Sequence, residues 1–145
     1  MNGIESDIMN TVYAGILAGL GMAAAMGIGE RLGLFKINLP FIDGKFFFKG
    51  RFDNRTTYLL GLFIHLMTSI SFALGYVLFR IYVVPYWSWQ WAGPAWTIIL
   101  WFLFGITVSP VTGYGLFGSR AGKWAWFELL ITHCVYGIIL TVLLR

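Results

Sequence analysis

The sequence predicts an all-α polytopic membrane protein, four transmembrane helices in an antiparallel bundle forming one domain over residues 1–145. Composition is the first reason: 59% of the chain is hydrophobic and 11% charged, where soluble domains carry roughly 25% charge. The second is segmentation. Apolar stretches near 10–35, 58–84, 94–112 and 124–144 each approach the ~20 residues that span a bilayer. The third is a row of small residues in the first stretch, Gly15, Gly19, Ala23 and Gly27, four apart and so on one helical face. In water each glycine would cost about 1 kcal/mol of helix stability. In lipid the backbone must satisfy its own hydrogen bonds, so the helix forms and the small residues admit close neighbours. The first helix is therefore expected to be the packing centre of the bundle.

Before it, Met1–Asn10 has no basic stretch, which argues against a cleaved signal peptide. After it, residues 36–57 read as the one substantial loop, basic and aromatic. Pro40, Asp43-Gly44 and Gly50 are turn signals. Phe46-Phe47-Phe48 lies between Lys45 and Lys49, a pattern suited to a bilayer surface, rings inward and cations at phosphates. The second helix then runs to about Val84. Three tryptophans, Trp87, Trp89 and Trp91, suit the headgroup region. The third helix is expected to begin at Pro94, a residue tolerated in a first turn, and to end near Ser109-Pro110. A glycine-rich connection, 112–123, leads into the fourth. Its glycines lack the strand and the βαβ unit of a dinucleotide fingerprint.

The formal charge is +4, and its placement speaks for topology rather than for nucleic acid. Basic residues crowd the first and third connections, while Arg80 and Arg145 stand at the other side. The positive-inside rule predicts that both basic connections lie in the cytoplasm and both termini outside. A faint repeat is visible as well. Gly33-Leu34-Phe35 follows helix one and Gly115-Leu116-Phe117 follows helix three, and the helix after each contains one histidine. Two helical hairpins related about the membrane normal would read this way.

Those histidines, His65 and His133, are the only two in the chain. Each lies roughly 10–14 Å along its helix from the cytoplasmic side. Ionisable groups inside spans are functional candidates. One reading is axial ligation of a haem b, or of a chlorophyll-type pigment by one of them. The other is a pair of neutral imidazoles hydrogen-bonded across helices. Glu30 and Glu128, near the same side, suggest a polar membrane layer, either as ion pairs or as a proton route. Cys134 is the only cysteine, so no internal disulfide forms. No nucleophile stands with a base, and no catalytic residue is assigned.

Gly15-Ile16-Leu17-Ala18-Gly19, His65, Gly113-Tyr114-Gly115-Leu116-Phe117-Gly118 and His133-Cys134-Val135-Tyr136-Gly137 resemble an uncharacterised family of small four-helix prokaryotic integral membrane proteins. The resemblance spans most of the chain, implies a place in a prokaryotic cytoplasmic (inner) membrane, and implies no particular activity. The 36–57 loop and the tryptophan-rich connection fall outside its pattern and add aromatic surface suited to docking. The expected role is an accessory or structural subunit of a larger membrane complex, of redox or energy-transducing kind, with bound lipids and other membrane subunits as partners. A b-haem or pigment-binding electron-transfer subunit using His65 and His133 is the alternative, and a small transporter or channel the second.

Overall fold

The computed structural model describes residues 2–49 and 51–145, with side chains from Asp7 onward. It is all-helical: α1 (Asn2–Arg31), α2 (Leu39–Phe48), α3 (Asn54–Tyr82), α4 (Trp89–Val111) and α5 (Ala125–Leu143). No strand occurs among the described residues. All but α2 are long and apolar enough to cross a membrane, so the architecture is that of a multi-pass membrane protein. Large apolar side chains point outward along these helices, Phe63 at 62% and Ile138 at 64% exposure. In water that surface would be costly; against lipid tails it is at home.

The bundle is built around α1, which packs against α3 on one flank and α5 on the other. At Gly15 and Gly19 an added Cβ would run into Ile70 and Ser69 of α3. Ala23 is buried as well. The close seam ends there: at Gly27 an added Cβ would meet nothing within 4 Å. α4 lies on the far side of α5, where Thr97 and Thr141 fill the notches left by Gly137 and Gly93.

The segment expected to be a surface loop contains α2. Asp43-Gly44, a turn signal in sequence, sits in the middle of this helix; Gly50 lies outside the described residues. Asn38 caps α2, its side chain accepting the Phe41 N–H, and Pro40 sits in the first turn, where its missing N–H costs nothing. α2 then runs antiparallel along the first turns of α3. Gly61 faces the Pro40 carbonyl and Gly44 faces the Thr57 carbonyl, too close at either place for a Cβ. Backbone thus rests on backbone, an arrangement only glycine allows.

α4 begins at Trp89 rather than Pro94, after an extended Ser88. Pro94 falls in its second turn and forfeits one hydrogen bond, to the Gln90 carbonyl. Near its other end α4 widens into a π-helical stretch, Phe104–Val108. The Phe117 ring lies over Gly105 within it. Phe117 itself holds φ 49°, a left-handed conformation that costs a non-glycine residue about 1 kcal/mol or more. The two Gly-Leu-Phe turns share a geometry. Gly33 and Gly115 have φ 70° and 73°, and the phenylalanine two residues on folds back onto a glycine of the preceding helix, Phe35 on Gly29 and Phe117 on Gly105.

α3 and α4 barely meet. Their contact is Trp96, whose ring lies 5.3 Å from that of Phe79 and 6.4 Å from that of Tyr76. Trp96 is at the end of the bundle that carries the termini. Towards the α2 end the two helices part and leave a cleft.

Candidate functional site

All five helices line this cleft, α1 through Met22 alone. α3 supplies His65, Thr68 and Phe72; α4 supplies Phe104 and Thr107 from its π-helical stretch; α5 supplies His133 and Tyr136; α2 supplies Asp43, Phe46 and Phe47. The enclosed space is ≈ 340 Å³ and its walls are mostly apolar, a size and character common to small-ligand sites. The π-helical turn is the device that opens it, since the extra residue per turn displaces Phe104 and Thr107 from a regular helical track.

Both sequence-predicted histidines line this one cleft. His133 is 5% exposed, with Nδ1 2.7 Å from the Leu129 carbonyl oxygen. A carbonyl only accepts, so that nitrogen carries the proton and Nε2 is left as the base. The His133 ring also packs on Phe104, centroids 5.6 Å apart. His65 is 6% exposed, and its Nδ1 lies 3.9 Å from Asp43 Oδ2, beyond hydrogen-bond reach. Its Nε2 is enclosed with no hydrogen-bond partner. One turn deeper, the Tyr136 hydroxyl donates to the Ser69 carbonyl at 2.7 Å and ties α5 to α3 beneath both imidazoles.

The two imidazoles stand differently toward axial ligation of a haem or a chlorophyll-type pigment. Axial ligation needs a ring nitrogen open toward the metal with room for a macrocycle beside it. His65 Nε2 is enclosed and its Nδ1 lies 3.9 Å from a carboxylate oxygen, whereas His133 bonds through Nδ1 and leaves Nε2 as its base. Among the described residues no cluster of three or more potential metal ligands occurs.

Glu30 and Glu128, expected in a polar membrane layer, both accept hydrogen bonds from the segment 36–38. Glu128 Oε2 accepts the Lys36 N–H at 2.8 Å and the Ile37 N–H at 3.3 Å. Glu30 Oε2 accepts from Asn38 Nδ2 at 2.6 Å. The two carboxylates thus pin the short segment that turns the chain back into α2. Neither forms an ion pair with a basic side chain among the described residues.

Asp43 is the residue that sequence reading missed. It was legible only as part of a turn, yet α2 carries it into the cleft wall beside His65. No cation side chain pairs with it. Lys45, two residues on, is drawn over the Phe41 ring, 4.5 Å from its centroid. Burial pushes the Asp43 carboxyl up to about 7. Folding therefore favours its protonated form. The benefit is fully present below the unfolded value of 3.8 and is lost as pH rises through about 7. Three pH units correspond to on the order of 4 kcal/mol. Thermal melts at pH 5 and pH 8.5 should differ more for the native chain than for Asp43→Asn, and the variant should be the more stable of the two at pH 8.5. Parallel pH profiles would show that Asp43 is solvated.

In comparison with known proteins, no family model, curated protein or solved structure matches this chain.

Proposed function

We propose that the protein is an accessory subunit of a larger membrane complex, and that its task there is to hold a bilayer-dissolved molecule in the cleft between α3 and α4. The observation that carries this reading is the cleft itself. It is apolar along most of its walls and holds Asp43, His65 and His133 among them, while nearer the other end of the two helices Trp96 packs on Phe79. A molecule dissolved in lipid can reach it sideways, between two helices that do not touch there. The small extramembrane mass and the outward aromatic side chains support a place among other membrane subunits, which gain contact area from them. A complex with redox or energy-transducing work would have use for such a holder.

The basic residues of 36–55 and 120–123 gather at the α2 end, while Arg80 and Arg145 lie at the other. By the positive-inside rule the α2 end faces the cytoplasm of a prokaryotic cell and both termini lie outside. α2 is then a re-entrant helix on the cytoplasmic side. A transporter or channel gains less support, because α3 and α4 meet through Trp96 between the cleft and the opposite end.

The test is purification in mild detergent, with native mass spectrometry and a visible spectrum. The expected result is a colourless chain that retains one small amphiphile and travels with companion subunits. Thr68→Trp, which fills the mouth of the cleft, should lose the amphiphile. A chain that runs alone and retains nothing, or retains the same molecule in Thr68→Trp, overturns the proposal.

A further inference from the structure

We infer that the cleft takes a lipid-soluble organic cation, its charge set against Asp43 and its apolar groups against Phe46, Phe47, Phe72 and Phe104. This rests on the cleft being a ligand site and adds the chemical class of the ligand.

Charge is the first argument. Asp43 is the only acid in the wall, and no lysine or arginine lines the space. The titratable neighbours that face it are His65, 3.9 Å away, and His133 across the cleft. A carboxylate in apolar surroundings is stable only when paired or neutralised. The fold provides no lysine or arginine partner, only the His65 imidazole at 3.9 Å, and holds Lys45, two residues on, over Phe41. Without a ligand, burial keeps Asp43 largely protonated below about pH 7; a cationic ligand stabilises its ionised form and completes the site, whereas an anionic one finds no counter-charge in the wall. The second argument is the wall itself. Four phenylalanines surround the space, and aromatic faces attract cations most strongly where water is excluded. The third is His65. Its Nδ1 lies 3.9 Å from Asp43 Oδ2, beyond hydrogen-bond reach, so the imidazole beside the carboxyl does not satisfy it and leaves that place to a ligand. Access is the fourth argument. The opening between α3 and α4 faces the bilayer, so the ligand arrives from lipid, which selects a cation whose charge is delocalised or shielded by apolar groups.

The experiment uses ions of matched shape and opposite charge. Tetraphenylphosphonium and tetraphenylborate are titrated into the full chain in mild detergent and followed by quenching of tryptophan fluorescence. Thr68→Trp serves as the blocked reference. Saturable binding is expected for the phosphonium, at least tenfold tighter than for the borate. Asp43→Asn should weaken phosphonium binding by tenfold or more, and Asp43→Glu should restore most of it. Melting temperature and elution volume confirm that each variant is folded; should Asp43→Asn fail that check, the phosphonium-to-borate ratio on the native chain decides alone. Equal binding of both ions, or phosphonium affinity unchanged in Asp43→Asn, overturns the cation assignment while leaving a ligand-holding cleft. No saturable binding of either ion, or binding unaltered by Thr68→Trp, overturns the cation assignment and the cleft reading together.

Discussion

Gly61→Ala is expected to unseat α2 and cost about 3 kcal/mol or more, the upper range for overpacking a close contact. The added methyl group would press on the Pro40 carbonyl and the Gly44 amide nitrogen. Both belong to backbone, which cannot rotate away as a side chain can. Either α2 shifts as a body or it leaves its seat, and Asp43 leaves the cleft with it. The variant should melt roughly 10 °C below the native chain in detergent. Trypsin should then cut after Lys45 or Lys49 without cutting the spanning helices. Leu59→Ala, at an outward-facing position of the same helix, serves as the control and should melt near the native value. A Gly61→Ala protein that melts with the control would mean that α2 does not rest on α3 as described.

Two glycines of α1 should respond in opposite ways to the same substitution. Gly19→Leu places its Cβ against Ser69, with Leu66 close behind. The α1–α3 seam has to open there, and close approach is what holds helices together in lipid, where no hydrophobic force does so. A loss of about 3 kcal/mol, or failure to assemble, is expected. Gly27→Leu, two turns further along the same face, meets open space. It should melt at or above the native temperature, since leucine favours the helix by up to about 1 kcal/mol over glycine. Equal damage at both positions would contradict the seam; tolerance at both would turn that face of α1 toward lipid.

The contrast between those glycines also marks what could be read in the sequence. Length, apolar character and small-residue spacing are local properties, and they disclosed the four spanning helices and the face of α1 that meets α3. They could not say where along that face the partner stops, because that depends on where α3 diverges. α2 was hidden for a stronger reason. Asp43-Gly44 has the local character of a turn, and ten residues are too few to give a spanning signal. What makes this segment helical is its seat on Gly61, seventeen residues after Gly44, together with the carboxylates of Glu30 and Glu128 holding the approach. The histidines were legible as a pair because their depth follows from counting along two helices. Their relation to Asp43 was not, since it depends on a helix that the local signals deny. The cleft was hidden likewise, as nothing in Phe-Gly-Ile-Thr-Val announces a π-helical turn.

The seat of α2 also fixes an order of events during synthesis. At ten residues, about 15 Å long, α2 reaches half the thickness of a ~30 Å hydrocarbon layer and cannot serve as a membrane span. Insertion machinery therefore meets α1 and α3 as consecutive spans, with residues 32–53 held between them. The platform for α2 lies downstream of it, at Thr57 and Gly61. The nascent chain must emerge through Gly61 before α2 has anywhere to rest, and α4 and α5 must follow before the remaining walls exist around Asp43. The ribosome thus delivers the acidic residue first and the pocket that encloses it last.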